Sequence, residues 1–532
     1  MPDPVRIDGM SYTYVINNLR IELEWHKNNQ QEWRQILEAI KEIPGRRYAS
    51  STKKWSVPNT KEMREWLRAS GWDIPEPEVI QRPMPPYRQE RVLPGLYSYQ
   101  EDFLKFSLIR PRLGLFDDPG TGKTCQALAW LRYHGLLPAL IVVNASTKVQ
   151  WAINYKLWLK RDDIEVLSGE APQDLDPGKS YVINWDILYK WERSSRRQNF
   201  YAQGFKALIG DEVQAIGNRT SQRTRAFMRL ASRIPCLLGM SGTPARSRPV
   251  QLWPILHCID PQTFPDFYAY ANRYCNPKVT PYGTEYKGIT NAPELHALLS
   301  ERTLRRTKAE VMSFLPPKII TTVPCAVDKG KMEAYKEQAR KAREATEFER
   351  SAAIAGLFQS AYELKADACK QWIMDFLSTD EKLLVFAWHH AVVDDIAKYL
   401  AEKDIGVRVL TGTTSGAQRE TIKKDFIEDP DVRVIVANIQ SAGVGIDGLQ
   451  KACSNCCFVE FTAAPTDHWQ AEDRLHRGGQ EVPVNVYYLV APRTIDVTMA
   501  YQLDTKAVAL ASVLDGTDSG IVKISDMLKK KK

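Results

Sequence analysis

Phe116-Asp117-Asp118-Pro119-Gly120-Thr121-Gly122-Lys123-Thr124 is the stretch on which the fold of this chain turns. Residues 112–116 are short and apolar enough for a buried strand, and residues 125–133 have helical composition, so the glycines fall between a strand and a helix. A Gly-rich turn is often only a turn, but Lys-Thr in register after a strand makes this one a phosphate cradle. Gly120 and Gly122 let backbone N–H groups face an anion, and the helix N-terminus adds the positive end of its dipole. Lys123 then reaches the β- and γ-phosphates of a nucleotide, and the Thr124 hydroxyl is placed to ligate Mg²⁺. One position departs from the generic pattern: Asp117 stands where a small residue is usual.

The neighbouring segments follow from that loop. Residues 139–143 are continuously apolar, as a parallel strand covered on both faces should be, and residues 181–184 and 207–210 repeat the pattern with helical segments between. The last of these runs into Asp211-Glu212-Val213-Gln214, acids at a strand's carboxyl end, where open α/β sheets place ligands. A solvated loop is the plain alternative; beside a phosphate cradle, Asp211 is expected to hold Mg²⁺ and Glu212 to polarise the attacking water. Upstream, Gln100 offers the donor and acceptor that the edge of adenine requires, although alone it would be an ordinary surface glutamine. Downstream, the apolar residues 236–240 end in Ser241-Gly242-Thr243-Pro244, a constrained polar turn read as a sensor of the nucleotide or of a neighbouring lobe.

A second α/β unit has strands at 382–387, 407–410 and 432–437 and no phosphate cradle. It carries Ser441-Ala442-Gly443-Val444-Gly445-Ile446-Asp447 and a segment read as helix, Gln470-Ala471-Glu472-Asp473-Arg474-Leu475-His476-Arg477-Gly478-Gly479-Gln480. Arg474 and Arg477, three apart, would share a helical face and suit a γ-phosphate held by another lobe; salt bridges to Glu472 and Asp473 are the alternative. Between the units, residues 250–380 read as mostly helical and charged, and Leu304-Arg305-Arg306-Thr307-Lys308 among them shows little chemistry of its own.

The N-terminal part is a separate small unit, with strands at 21–25 and 55–58 and helices at 31–43 and 60–70. In it Arg46, Arg47, Lys53 and Lys54 interleave with Tyr48 and Trp55, a pattern suited to phosphate contact with base stacking, or equally to a solvated basic hairpin with both rings in the core. A proline-rich, charged linker follows.

At 532 residues, 44% hydrophobic, the chain is long enough for about three or four domains. No apolar run approaches the roughly 18 residues of a membrane span, and the N-terminus lacks the regions of a signal peptide, so the expectation is an intracellular protein, of a bacterial or viral host's cytoplasm rather than a nucleus. Nine scattered cysteines fit free thiols in a reducing compartment, and Cys453-Ser454-Asn455-Cys456-Cys457 has no partner pair at zinc spacing. The net charge of +8 permits a polyanionic partner without demanding one.

Taken in order, these segments resemble the Swi/Snf-type ATPases of helicase superfamily two from residue 96 to about 500. Residues 241–249 and the basic–aromatic run ending at Trp55 look most like the annealing-helicase branch, whose members carry a HepA-related (HARP) module before the motor. The resemblance implies an α/β fold of two RecA-like lobes with helical insertions, preceded by a small α+β module: a HARP-like DNA-binding module over 1–80, a linker over 81–95, lobe 1 over 96–325, a helical segment over 326–379, lobe 2 over 380–505 and a basic tail over 506–532. It implies ATP in the cleft against Gln100, Gly120, Thr121, Gly122, Lys123, Thr124 and Gln470, with Mg²⁺ on Thr124 and Asp211. Lys123, Asp211, Glu212, Arg474 and Arg477 would be catalytic, and Ser146, Lys148 and Ser441 would touch DNA besides the N-terminal cations and rings. The implied activity is translocation on duplex DNA without processive strand separation, and remodelling or reannealing of forked or branched DNA, with single-strand-binding or replication proteins as candidate partners and no membrane. Two departures stand out: Gln214 replaces the usual His of the Asp-Glu-x-His box, and Asn144 replaces a common proline. A protein-displacing remodeller, a restriction-like motor subunit and an ATP-binding DNA switch with little turnover are the other readings, although no nuclease or histone-reading module is apparent.

Overall fold

The apolar runs are too hydrophobic on both faces to lie at a water surface, and they collect into two parallel sheets wrapped by helices. The computed structural model describes residues 12–16, 20–25, 30–43, 46–49, 54–58, 61–70, 72, 87–280, 283–345, 349–442, 448–462, 464–516, 524 and 526. At the N-terminus β1 (Tyr12–Ile16), β2 (Arg20–Trp25), β3 (Arg47–Ala49) and β4 (Lys54–Pro58) form an antiparallel sheet in the order β1-β2-β4-β3, with helices Gln30–Glu42 and Lys61–Ala69. Met63, Trp66 and Leu67 recur at helical spacing on the second helix and are buried with Ile40, Ile43 and Val57.

In the first lobe β5 (Arg112–Leu115), β6 (Ala139–Val143), β7 (Ile164–Val166), β8 (Ser180–Asn184), β9 (Ala207–Asp211) and β10 (Cys236–Met240) build the sheet. A surface hairpin, β11 (Pro277–Thr280) and β12 (Gly283–Tyr286), precedes β13 (Thr303–Leu304), which returns to the sheet edge. The order is β13-β5-β10-β9-β6-β8-β7, parallel throughout. One face is covered by Phe103, Leu128, Trp151 and Tyr155, the other by Phe227, Leu230 and Ile255, all buried.

The second lobe holds β14 (Lys318–Pro324), β15 (Leu383–Ala387), β16 (Gly406–Leu410), β17 (Val432–Asn438), β18 (Asn455–Phe458) and β19 (Val484–Val490) in the parallel order β14-β19-β18-β15-β17-β16. Residues 318–324 therefore belong to the second sheet, although the sequence assigns them to the first lobe; as an edge strand with mostly alternating exposure, β14 lacks the apolar run of a central strand. The helix Arg350–Leu377 buries Tyr362, Cys369, Ile373 and Leu377 against this sheet.

Two further boundaries move. From Tyr87 onward the expected linker is seated on the first lobe: Tyr87 stacks on Tyr133 at 5.5 Å, and Leu93 is in the core. Residues 506–514 are the second half of the helix Ile495–Leu514 rather than a tail. Its Met499 and Leu503 lie in the second lobe's core, while Leu510 and Val513 pack with Leu252, Trp253 and Leu295 of the first-lobe part of the chain. Among the described residues no helix is long and apolar enough to cross a membrane.

Candidate nucleotide site between the lobes

Because β13, β5, β10 and β9 are parallel neighbours, their carboxyl ends release four segments along one sheet edge, residues 305–308, 116–122, 241–244 and 211–214. That edge is where open α/β sheets bind ligands. The ladder continues past the strands, with Phe116 N donating to Leu304 O at 2.7 Å, Asp118 N to Arg306 O at 3.0 Å and Ser241 N to Leu115 O at 3.2 Å.

Gly120 and Gly122 have φ of +84° and +79°, left-handed values that favour glycine, and Gly122 caps the helix Lys123–His134. A Cβ at Gly122 would lie 2.5 Å from Gln100 Nε2. The Lys123 ammonium donates to the carbonyls of Asp117 at 2.7 Å and Asp118 at 2.9 Å, and burial pulls its pKa down against the opposing charges of Glu212 and Asp117. Thr121 is buried, its hydroxyl donating to Asp118 O at 2.9 Å, and Thr124 lies partly buried in the helix's first turn.

The unusual Asp117 is explained by a residue far along the chain. Arg306 Nε and Nη2 meet its two carboxylate oxygens at 3.0 and 2.5 Å, and Arg306 also donates to Gln126 Oε1 at 3.0 Å and to Tyr99 O. Arg305 pairs with Asp118 at 2.9 Å and with Asp515 at 2.7 Å, and donates to Phe116 O at 2.7 Å. The segment 305–306, chemically silent in the sequence, is what holds the loop.

Asp211 Oδ2 accepts from Trp151 Nε1 at 2.8 Å and Oδ1 from Glu212 N at 3.0 Å. Burial, and next the charge of Glu212, push its pKa up to about 6. Glu212 has φ of +50°, and its carboxylate accepts from Gln214 Nε2 at 2.6 Å, so Gln214 in the histidine's place holds the expected base directly.

Gln100, expected at the edge of adenine, has its amide engaged within the protein: its Oε1 accepts from Tyr97 N at 3.1 Å and its Nε2 donates to Thr121 O at 3.2 Å, so it caps a helix and braces the loop. The residue is 4% exposed, and its side chain closes the capping box of the helix Ser98–Ser107.

The second lobe meets the site through the helix Pro465–Glu472. Gln470 Nε2 donates to Thr243 Oγ1 at 3.0 Å, Arg246 pairs with Asp467 at 2.8 Å, and Thr466 Oγ1 donates to Arg246 O at 3.2 Å. The Ser241-Gly242-Thr243-Pro244 turn thus contacts the neighbouring lobe, and Gly242 is required because a Cβ there would meet Pro119 Cγ at 2.5 Å.

Arg474 and Arg477 do not share a helical face. The helix ends at Glu472, whose buried carboxylate takes Lys318 Nζ at 2.6 Å and Tyr488 OH at 2.8 Å, and His476 Nε2 donates to Pro316 O at 2.9 Å. These partners turn the chain, with Arg474 N on Ala471 O at 3.2 Å and Arg477 N on Leu475 O at 3.1 Å. The arginines are thereby separated. Arg477 Cβ lies 3.2 Å from where a Cβ on Gly120 would be, at the phosphate loop, and within the second lobe burial, and next the charge of Arg474, lower the pKa of Arg419.

Of the expected DNA contacts, Ser146 is exposed, but Lys148 Nζ donates to Leu167 O at 2.8 Å and Ser168 Oγ at 3.1 Å. The side chain of Ser441, the side chain of Arg47 and all of Lys53 lie outside the described residues. Arg46 is exposed and donates to Ile43 O at 3.1 Å. Tyr48 is paired across β3 and β4 with the partly buried Trp55, the rings 5.0 Å apart; being 51% exposed, Tyr48 is not a core residue. Lys54 beside them is partly buried.

Two parallel α/β lobes facing each other across a glycine-rich phosphate loop define a helicase-like, nucleotide-site protein. The SNF2-related domain matches residues 99–373 and the helicase conserved C-terminal domain residues 365–479. The chain belongs to the SNF2-related family. It is 31% identical over 464 residues to the DNA annealing helicase and endonuclease ZRANB3 of Mus musculus, covering 83% of this chain and 43% of that protein. It is 30% identical over 519 residues to the SWI/SNF-related matrix-associated actin-dependent regulator of chromatin subfamily A-like protein 1 of Xenopus laevis, covering 91% of this chain and 52% of that one. The chain thus spans about half the length of the curated relatives it matches. Among solved structures it is similar to the Sulfolobus solfataricus SWI2/SNF2 ATPase core in complex with dsDNA, at 20% identity and a TM-score of 0.39, covering 83% of this chain and 96% of that one.

Proposed function

We propose that the chain is a DNA-dependent ATPase that tracks along duplex DNA and remodels or reanneals forked or branched DNA inside the cell. One observation carries this reading: the hydrolytic residues are divided between lobes, with Lys123, Asp211 and Glu212 on the first and Arg477 brought to the same loop by the second. The names of the relatives support the annealing activity. The exposed Tyr48 and Arg46 of the N-terminal sheet support a module that touches DNA bases and phosphates. Single-strand-binding or replication proteins are the protein partners this reading expects.

The site fits ATP with Mg²⁺. Asp211 and Glu212 are consecutive carboxylates, and burial, and next the charge of Glu212, raise the pKa of Asp211, a penalty on the charged form that a bound dication would relieve. Asp211 and Thr124 would hold the metal, which neutralises charge on the β- and γ-phosphates when bound. Lys123, engaged by two loop carbonyls, exchanges them for phosphate oxygens. Glu212, held by Gln214, polarises the attacking water, and Arg477 stabilises charge on the γ-phosphate, an arginine contribution of roughly 10³- to 10⁵-fold. DNA that favours apposition of the lobes then gates turnover. The test is ATP turnover measured against single-stranded, duplex and forked DNA: duplex or forked DNA should stimulate it strongly, and equal rates with and without DNA would refute the proposal.

A further inference from the structure

Lys308 closes the Leu304-Arg305-Arg306-Thr307-Lys308 segment and is not used by the chemistry above. It opens the short helix Lys308–Val311, and its backbone N donates to Asp118 Oδ2 at 2.9 Å, tying it to the phosphate loop. Its Cε lies 3.7 Å from the Cβ position of Gly120, the same glycine that Arg477 Cβ approaches. Its ammonium donates to Asp473 Oδ1 at 2.6 Å and to the carbonyl of His476. Lys308 is 5% exposed, and the Asp473 side chain 12%. A buried ammonium is tolerated only when paired and hydrogen-bonded, and the partners of this one flank both arginines of the second lobe. One point charge with three donors therefore pins the 473–477 turn at two places while its own backbone is fixed to the loop.

We propose that Lys308 is the positioning residue for Arg477, transmitting the state of the phosphate loop to the arginine that the second lobe presents. Asp118 is the first-lobe end of the connection and Asp473 the second-lobe end. When Asp118 holds Lys308 N, the ammonium fixes the turn and Arg477 is set against Gly120; when the loop rearranges, the turn loses its anchor. The inference rests on Arg477 acting at the γ-phosphate, and it gives the Leu-Arg-Arg-Thr-Lys segment two tasks, with Arg305 and Arg306 holding the loop and Lys308 coupling it across the cleft.

The test compares the full chain with Lys308→Met, Asp473→Asn, Arg477→Ala and the double variant Lys308→Met/Arg477→Ala, measuring DNA-stimulated kcat and, separately, equilibrium ATP binding. Lys308→Met and Asp473→Asn should each lower kcat about 10²-fold, as a misplaced catalytic group does, with ATP affinity unchanged. The double variant should be no slower than Arg477→Ala, because groups acting as a unit are not additive. A merely structural role would instead weaken ATP binding along with turnover, or add its loss to that of Arg477→Ala, and either result overturns the inference. Normal turnover in Lys308→Met with loss in Arg477→Ala overturns the inference alone, whereas full turnover in Arg477→Ala, or no DNA-stimulated turnover in the parent chain, overturns the functional reading and this inference with it. If Lys308→Met does not fold, Lys308→Arg and Asp473→Glu, which keep the charges and change their reach, are measured in the same way and should show the same split between kcat and ATP affinity.

Discussion

Arg306 grips Asp117 at both carboxylate oxygens across 189 residues of sequence, and Asp117 has no exposure to solvent. Arg306→Ala leaves that carboxylate buried and unpaired, which costs about 3–5 kcal/mol, and should abolish ATP binding with a lowered melting temperature. Arg306→Lys should recover little, since one ammonium cannot reproduce two parallel hydrogen bonds. Thermal melting and ATP binding of both variants check this, and a melting temperature like the parent's in Arg306→Ala would refute it.

Glu212→Gln should retain ATP binding while turnover falls about 10²- to 10⁴-fold, the range of a lost general base. Lys123→Ala should instead lose binding and turnover together. Single-turnover hydrolysis beside equilibrium binding separates the two.

Arg477→Ala should lower DNA-stimulated turnover about 10³-fold with ATP affinity intact. Arg474→Ala should have a smaller effect, because it is Arg477 whose Cβ lies against Gly120 of the loop. Equal losses in the two variants would mean that both arginines reach the nucleotide.

Asp211 titrates at about 6 in place of its ordinary 3.8, so between those values the folded protein holds a proton that the unfolded chain has released. For this group the stability of the nucleotide-free protein is greatest below 3.8 and is lost as pH rises through about 6. Mg²⁺ needs the carboxylate, so its affinity should move in the opposite direction, weakening as pH falls through that value. Trp151→Phe removes the hydrogen bond that favours the charged form and should shift the midpoint upward. Mg²⁺ titrations on either side of the midpoint, monitored by nucleotide binding, decide the sign.

In the N-terminal sheet, Arg46→Ala combined with Lys54→Ala should leave duplex-stimulated ATPase largely intact, reduce fork remodelling and make DNA binding less salt-dependent. Tyr48→Ala, at a half-exposed ring, should lower fork affinity with little loss of stability. Fork remodelling equal to the parent's in all of these would make the run a solvated surface.

The parts of the site that were legible are those made by contiguous residues. A strand, a glycine turn and Lys-Thr can be read in place, as can a strand ending in Asp211-Glu212. What escaped the sequence depends on partners far away. The end of the helix at Glu472 is decided by Lys318 and Tyr488, so the spacing of Arg474 and Arg477 alone misplaces them. The work of Arg305 and Arg306 becomes visible only once β13 lies beside β5. The strand β14 escaped because an edge strand, wet on one side, lacks the unbroken apolar run that marks its neighbours.

The helix Ile495–Leu514 has one end in each lobe's packing, Met499 and Leu503 in one cluster and Leu510 and Val513 in another. Twenty residues of α-helix form a rod about 30 Å long that resists bending over that distance. Such a rod works as a tether: drawing the lobes apart would extract Leu510 and Val513 from their seat beside Leu252, Trp253 and Leu295.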